Sequence, residues 1–291
     1  MKKIISLEGC VAVVTGAGSG IGRALALQLG ELNAKLALSD VDSRSLDETL
    51  TMLAEKGTDA RGDSLDVSDR TAVEAYAASV EANYGHVNLL INNAGVALAS
   101  GYFKDTTIDE FEWLMRINFS GVLYGSKAFL PLLERGDWGH IVNISSVFGL
   151  IAVAEQAAYN SSKFAVRGLT EALCNEFEQT SKKLGATCVH PGGVKTNIAR
   201  YARLGEALDD KERQSFAVQQ DLFDKLARTT PESAARQILQ AAQSRQRRLL
   251  IGSDAKLLDK LQRCLPVSYN RVVTWMANRI RLREGLDPAG M

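Results

Sequence analysis

Short apolar runs alternate along the chain with longer segments whose apolar residues recur at helical spacing. Short apolar runs bounded by turn residues predict buried strands. Seven strands are predicted, at residues 11–15, 35–39, 60–65, 87–91, 140–144, 187–190 and 248–251. Strands that alternate with helices in this way predict an α/β fold, with a doubly wound parallel sheet of about seven strands and helices on both faces.

Leucine spacing and capping residues predict the helices between these strands. One helix follows the first strand directly and carries Leu25 and Leu29 on its inner side. The others are predicted at residues 46–53 after a cap at Asp42 or Ser43, from a cap at Ser68 to Gly85, at residues 109–129 ending before Pro131, and at residues 156–183.

Residues 1–252 form one predicted dinucleotide-binding and catalytic domain, and two segments depart from its alternating pattern. Residues 197–230 are helical and polar and contain no predicted strand, and they are too long for an ordinary connection. We therefore expect an insertion that acts as a substrate lid. Residues 253–291 form a predicted C-terminal helical extension, with helices at residues 254–264 and 267–282. The second helix is amphipathic and basic. We expect it to pack on the body or on a second subunit, and contact with a membrane surface is the alternative.

Composition excludes several classes of function. The 291 residues are 46% hydrophobic, and 34 basic side chains balance 34 acidic ones, which argues against nucleic acid as a partner. The apolar run near the N-terminus stops at Glu8, too early for a signal peptide, and no segment is long enough to span a membrane, so we expect a cytoplasmic protein. The four cysteines lie far apart, which predicts reduced structural thiols and no metal site.

A glycine-rich turn follows the first strand directly, with the sequence TGAGSGIG at residues 15–22. Glycines let the backbone approach a pyrophosphate, and the helix that follows offers unpaired N–H groups and the positive end of its dipole. Asp40 closes the second strand, where a carboxylate can accept hydrogen bonds from an adenosine ribose. The same carboxylate would repel a 2′-phosphate, and Arg44 would offset little of that repulsion. The sequence therefore predicts NAD rather than NADP as cofactor.

The order T-G-x-x-x-G-x-G resembles the short-chain dehydrogenase/reductase family. Further motifs that resemble this family occur in the expected order, namely Asp66-Val67, Asn92-Asn93-Ala94-Gly95, Asn118, Ser145-Ser146, Tyr159-x-x-x-Lys163 and Pro191 to Thr196. The resemblance covers residues 8–196, and residues 230–252 by topology only. It implies a Rossmann-type fold, a nicotinamide cofactor, and a homodimer or homotetramer assembled through the helices around residues 109–130 and 156–183.

The resemblance also implies roles for individual residues. Tyr159 is the expected acid or base, Ser146 orients the substrate oxygen, and Asn118 holds a water beside Lys163. Because Tyr159 and Lys163 share one helical face, we expect the ammonium, with help from a positively charged nicotinamide ring, to bring the tyrosine pKa toward neutral pH. The residues implied in cofactor binding are Gly16, Ser19, Gly20, Ile21, Gly22, Asp40, Asp66, Val67, Asn93, Ala94, Gly95, Tyr159, Lys163, Pro191, Gly192, Val194 and Thr196.

The expected surroundings of the substrate are mostly apolar, which predicts a lipophilic secondary alcohol or ketone. They comprise Val96, Ala97, Leu98, Phe148, Leu150, Ile151 and Val153, with Tyr201, Leu204, Phe216, Leu222 and Phe223 from the lid. Packing of these residues in the core or in a dimer interface is the alternative.

Two other functions are alternatives to an oxidoreductase. An epimerase or dehydratase of the same superfamily usually carries T-G-x-x-G-x-x-G, and a silent nucleotide-binding scaffold tends to lose part of the serine, tyrosine and lysine set. Both patterns differ from this chain, so alcohol dehydrogenase or carbonyl reductase activity is the expected function.

Overall fold

The computed structural model describes residues 4–283, apart from several side chains within residues 211–226 and 280–283. Its strands are β1 (Val11–Thr15), β2 (Lys35–Asp40), β3 (Ala60–Ser64), β4 (Leu89–Asn92), β5 (Leu98–Ala99), β6 (Gly139–Ile144), β7 (Leu184–Pro191), β8 (Arg203–Leu204) and β9 (Arg248–Ile251). Seven of them form a parallel sheet in the order β3-β2-β1-β4-β6-β7-β9, and β5 pairs with β8 separately. The predicted α/β class and strand number are confirmed.

The helices cover both faces of this sheet. They are α1 (Gly20–Gly30), α2 (Ser43–Ala54), α3 (Arg70–Tyr84), α4 (Ile108–Met115), α5 (Gly121–Arg135), α6 (Ala157–Thr180), α7 (Asp210–Leu226), α8 (Pro231–Gln243), α9 (Ser253–Cys264) and α10 (Tyr269–Arg283). Leu25 and Ile238 from α1 and α8 are buried on one face, and Phe129 and Phe177 from α5 and α6 are buried on the other. Burial on both faces explains the continuous apolar runs in the strands.

The strand order fixes where a ligand can bind. From β1 the sheet runs one way through β2 and β3, and the other way through β4 and β6. Open parallel sheets bind ligands at such a switch point, outside the carboxyl ends of the strands. The turns after β1, β4, β6 and β7 meet at this edge, which is where the sequence motifs lie.

Three local expectations are wrong. Asp69, not Ser68, caps α3, because its carboxylate accepts hydrogen bonds from the N–H groups of Thr71 and Ala72. The helix expected to end before Pro131 continues to Arg135. The stabilisation from burying Leu132 and Leu133 exceeds the cost of the backbone hydrogen bond that proline cannot donate.

The third correction concerns the insertion. It contains the short strand β8, whose residues pair in parallel with β5 after the turn that follows β4. This pairing was invisible in the sequence because each strand has only two residues. The C-terminal segment contains α9 and α10, and its residues 284–291 lie outside the described residues. Within residues 4–283 no helix is long and apolar enough to cross a membrane.

Candidate active site

The turn after β1 requires glycine at two positions. Gly16 has φ +65°, and a Cβ there would lie 2.8 Å from the Cα of Ala94. A Cβ on Gly22 would overlap the carbonyl oxygen of Gly16. Ser19 precedes α1 and makes no side-chain capping hydrogen bond. The N–H groups of the first helical turn, at Gly20 to Gly22, therefore have no intrahelical acceptor and favour an anion at this end.

Hydrogen bonds across the switch point hold this turn against the segment after β4. The hydroxyl oxygen of Thr15 accepts from the N–H groups of Asn93 and Ala94, both at 3.1 Å. The amide nitrogen of Asn93 donates to the carbonyl oxygens of Thr15 and Gly16, both at 3.0 Å. Thr15 was not predicted as a functional residue, although it is the first letter of the T-G motif. The side-chain amide of Asn93 is used to shape the turn, and Ala94 and Gly95 continue along its rim.

Asp40 stands beside the same turn, as its position at the end of β2 predicted. One carboxylate oxygen accepts from the N–H of Gly18 at 2.8 Å, and the other accepts from the N–H of Asp42 at 3.0 Å. Arg23, which no sequence motif marked as functional, also contacts the turn. Its guanidinium donates to the carbonyl oxygen of Gly18 and pairs with Glu48 at 2.9 Å. These bonds tie the turn to α2.

The remaining implied cofactor residues also lie at this edge of the sheet. Asp66 and Val67 follow β3, and Val67 packs against Gly121 at the start of α5. Pro191 ends β7, and Thr196 lies close enough to Gly20 that a Cβ there would be 3.3 Å from its methyl group. The loop after β7 therefore reaches the N-terminus of α1. Ile21 packs against the apolar core beneath the turn, and Gly192 and Val194 lie within the loop after β7.

Tyr159 and Lys163 occupy the first turns of α6. The lysine is only 3% exposed, and its Nζ lies 5.5 Å from the centroid of the Tyr159 ring. The same Nζ donates to the carbonyl oxygen of Ile144 at 3.1 Å, at the end of β6. This bond holds the ammonium at the sheet edge, beside the tyrosine.

The two serines after β6 have different partners. The hydroxyl of Ser146 lies near the phenol of Tyr159, where it lowers the pKa of that phenol. The oxygen of Ser146 also accepts from the N–H of Phe148 at 3.1 Å. Ser145 is buried and donates to the main-chain carbonyl of Lys163 at 2.8 Å. Ser146 therefore faces the tyrosine, whereas Ser145 fastens β6 to α6.

Asn118 lies in a π-helical turn, Arg116–Ser120, between α4 and α5. Such turns are frequent at functional sites. The buried amide of Asn118 exchanges two hydrogen bonds with the backbone of Val96, at 2.8 and 2.9 Å. A Cβ on Gly95 would lie 3.1 Å from its Oδ1 and 3.5 Å from Nζ of Lys163, so both side chains flank this glycine. Asn118 thus holds the segment after β4 next to the lysine.

The pKa values of the pair differ from the sequence-based expectation. Burial raises the pKa of Tyr159 to about 12, although the Ser146 hydroxyl opposes the rise. Burial lowers the pKa of Lys163 to about 8. In the protein chain the ammonium does not by itself bring the tyrosine pKa toward neutrality, because loss of water around the phenol raises that pKa more than the ammonium lowers it. The help expected from a charged nicotinamide ring stays a prediction. At pH 7 the pair is a neutral phenol beside an ammonium.

The apolar residues expected around the substrate lie in different surroundings. Phe148 meets the Tyr159 ring edge to face, with centroids 6.2 Å apart and planes at 88°. Leu150 and Ile151 are buried, so core packing accounts for both. Tyr201 in the insertion is 79% exposed. The side chains of Leu222 and Phe223 lie outside the described residues. Within residues 4–283 no three histidine, cysteine or acidic side chains are grouped to hold a metal ion.

Comparison with known proteins decides the family. The sequence model described as "short chain dehydrogenase" matches residues 10–207, more than half of the chain. The chain belongs to the short-chain dehydrogenase/reductase family. It is therefore an oxidoreductase of a family that uses NAD or NADP.

Relatives and solved structures agree with this assignment. The chain is 48% identical over 270 residues to the Mycobacterium tuberculosis protein named "Putative oxidoreductase SadH", covering 92% of this chain and 95% of that one. It is 32% identical over 237 residues to mouse estradiol 17-beta-dehydrogenase 11, covering 80% of this chain and 79% of that one. A short-chain dehydrogenase/reductase from Burkholderia phymatum, crystallised in complex with NAD, has a TM-score of 0.83 at 29% identity and covers 99% of both chains.

Proposed function

We propose that this protein transfers hydride between NAD and a lipophilic secondary alcohol or ketone, as an alcohol dehydrogenase or carbonyl reductase. One observation carries the proposal most directly. Ser146, Tyr159 and Lys163 form a cluster at the same sheet edge as the glycine turn, with the tyrosine in contact with both other side chains. A proton-transferring phenol beside a dinucleotide site is the arrangement that alcohol and carbonyl chemistry needs.

The residues at the edge fit a dinucleotide. The glycine turn packs tightly against its neighbours, because a Cβ at Gly16 or Gly22 would strike nearby backbone atoms. The N-terminus of α1 that follows the turn suits a pyrophosphate. Asp40 is fixed by two backbone N–H groups with its negative charge beside the turn, which favours a free ribose hydroxyl over a phosphate. We assign the adenine side to Asp66 and Val67 and the nicotinamide side to Pro191, Gly192, Val194 and Thr196. When bound, the nicotinamide supplies or accepts the hydride.

The chain's own residues manage the proton. Tyr159 with its raised pKa is protonated at neutral pH, so it can donate to a ketone oxygen as that oxygen gains negative charge. Ser146, beside the same phenol, orients the oxygen and stabilises its charge. The Lys163 ammonium stabilises the phenolate that remains, and Asn118 holds Gly95 and Val96 beside it. Oxidation of an alcohol uses the same groups in reverse.

Two observations support a lipophilic substrate. Phe148 covers an edge of the Tyr159 ring with apolar surface. A relative at 32% identity is named as an estradiol dehydrogenase, and estradiol is a lipophilic secondary alcohol. We therefore expect cyclic and long-chain secondary alcohols to react, and polyhydroxylated sugars to react poorly.

A cofactor absorbance assay tests the proposal. The purified protein is mixed with NAD and a panel containing estradiol, an aliphatic secondary alcohol, a cyclic secondary alcohol and a sugar, and formation of NADH is followed. We expect turnover with the lipophilic alcohols and little with the sugar. Strong turnover of the sugar with none of the lipophilic alcohols would contradict the substrate class. Absence of turnover across the panel and in the reverse direction with the ketones would contradict the reaction.

We also propose a homodimer or homotetramer in the cytoplasm, with residues 1–252 as the catalytic domain and residues 197–230 as its lid. Exposed Leu123 on α5 and Phe164 on α6 support an interface along these two helices. Light scattering of the purified protein tests the assembly, and a monomer at micromolar concentration would contradict it.

A further inference from the structure

The C-terminal extension touches both sides of the proposed site, through one residue in each of its helices. We propose that Asp254 of α9 and Tyr269 of α10 are positioning residues, Asp254 for the nucleotide-side loop at 191–196 and Tyr269 for the substrate-side loop at 147–153. This inference rests on the proposed function, because it assigns those two loops to nucleotide and substrate. Residues beyond the domain boundary expected at residue 252 would then also contribute to the active site.

Asp254 occupies a space that two glycines leave open. Its carboxylate accepts from the N–H of Gly193 at 2.7 Å. A Cβ on Gly192 or on Gly252 would overlap the same carboxylate, and Gly252 has φ +96°. The loop after β7 is thus fitted around this one side chain. Because Thr196 at the far end of the loop lies against Gly20, the position of the loop also sets the wall of the nucleotide site.

Tyr269 holds the other loop by its backbone. Its phenol oxygen accepts from the N–H of Ala152 at 2.9 Å and lies 3.5 Å from the carbonyl oxygen of the same residue. The Tyr269 and Val273 side chains pack in one apolar cluster with Phe148 from this loop. Phe148 in turn meets the edge of the Tyr159 ring. Tyr269 therefore acts on the reacting tyrosine only through the loop, and it is not a catalytic residue.

The same apolar cluster joins the two contacts. Ala255, next to Asp254, is fully buried in the same cluster as Val147 and Ile151, which belong to the loop that carries Phe148. The two helices of the extension therefore brace the nucleotide-side and substrate-side loops together. Each contact can be removed separately, because each depends on a different polar atom.

Removal of the Asp254 carboxylate tests the nucleotide side. We expect Asp254→Ala in the full chain to weaken NADH binding about fivefold, the effect of losing one hydrogen bond to a charged acceptor. Asp254→Asn keeps a side-chain oxygen in place and is expected to restore binding to within about twofold. NADH fluorescence titration gives the affinities, and circular dichroism checks that each variant is folded. Equal affinity in Asp254→Ala and the wild type, or no rescue by asparagine, overturns the assignment. Failure of the wild type to bind NADH overturns the proposed function instead, together with what rests on it.

Removal of the Tyr269 hydroxyl tests the substrate side. We expect Tyr269→Phe to raise the KM for a bulky lipophilic ketone about fivefold, with kcat changed less than about twofold and NADH affinity unchanged. Tyr84→Phe is the matched control, because that phenol also bonds a backbone atom, the carbonyl oxygen of Leu36, far from the site. An unchanged KM in Tyr269→Phe, or an equal rise in Tyr84→Phe, overturns the role of Tyr269.

Discussion

The glycine turn at residues 15–22 is held by neighbours at the ends of β1, β2 and β4, whereas the loop at residues 147–153 is held by Tyr269 from the end of the chain. The turn has backbone and side-chain hydrogen bonds on both sides, from Asn93, Asp40 and Arg23. The loop accepts hydrogen bonds from Arg167 and Asn160 of α6 at two carbonyl oxygens, donates one to Tyr269, and packs in an apolar cluster. The nucleotide side is thus held by neighbouring strand ends, and the substrate side depends in addition on contacts from the end of the chain. Substitutions in the turn should therefore change nucleotide affinity, and substitutions in the loop should change the KM for the substrate.

The largest effect on nucleotide binding is expected from Gly22→Ala. The new Cβ would overlap the Gly16 carbonyl oxygen, which is backbone and cannot rotate away. We expect nucleotide affinity to fall more than about 100-fold, roughly 3 kcal/mol. Calorimetric titration with NADH measures it, and Gly168→Ala, at an α6 position with open space around it, is the matched control. An affinity close to that of the wild type would show that the turn is less tightly packed than this structure indicates.

The next effect concerns the proton-transferring pair, where the two sides meet. Lys163 has a pKa lowered to about 8, so its ammonium charge is present below that pH and is lost above it. Tyr159 stays protonated through the same range. We expect kcat/KM for ketone reduction to be constant below pH 8 and to fall roughly tenfold per unit above it. Steady-state rates at saturating NADH give the profile, and a profile that stays flat well above pH 8 would exclude control by the lysine charge.

Asp40→Asn should change the preference between NAD and NADP more than it changes the stability of the fold. Asparagine keeps an oxygen that can accept from Gly18 but removes the negative charge that repels a 2′-phosphate. We expect the ratio of kcat/KM for NAD over NADP to fall about tenfold, and because this is a ratio, loss of active protein cancels. A wild type that prefers NADP, or a ratio unaffected by the substitution, is incompatible with this role for Asp40.

The smallest effect is expected on the substrate side, from Phe148→Leu. This change removes the edge-to-face contact with Tyr159, worth about 1 kcal/mol, and leaves the glycine turn untouched. We expect the KM for a lipophilic ketone to rise about fivefold while NADH affinity stays constant. Phe129→Leu is the matched control, because it removes a similar edge contact with Tyr76 in the core behind the sheet. It should lower thermal stability without changing the KM, and an equal KM change in both variants would refute a local role for Phe148.

The same contrast explains how much the sequence revealed. The order of strands, the glycine turn and the spacing of Tyr159 and Lys163 are local patterns, so the sheet and the meeting of motifs at one edge were predicted. Pairing of β5 with β8 joins residues about 100 positions apart through two short segments, and no local pattern marks it. Asp254 and Tyr269 escaped prediction for the same reason. Each makes a long-range contact with a backbone N–H group, and such a contact is invisible in a sequence.

The direction of the Tyr159 pKa shift was also beyond the sequence. Helical spacing placed the ammonium near the ring, but only the structure shows that the lysine donates to Ile144 and that burial dominates. The balance between desolvation and a neighbouring charge depends on how much water surrounds both groups, and spacing along a helix carries no information about that.

The most direct measurement compares the wild type with Tyr159→Phe for both NADH binding and turnover of a lipophilic secondary alcohol. Phenylalanine keeps the ring against Phe148 and Lys163 but removes the hydroxyl that carries the proton. We expect NADH affinity within about threefold of the wild type and turnover reduced by at least about 1,000-fold, the scale of general acid–base catalysis. Turnover retained in Tyr159→Phe, with nucleotide binding intact, would contradict the central role of this residue.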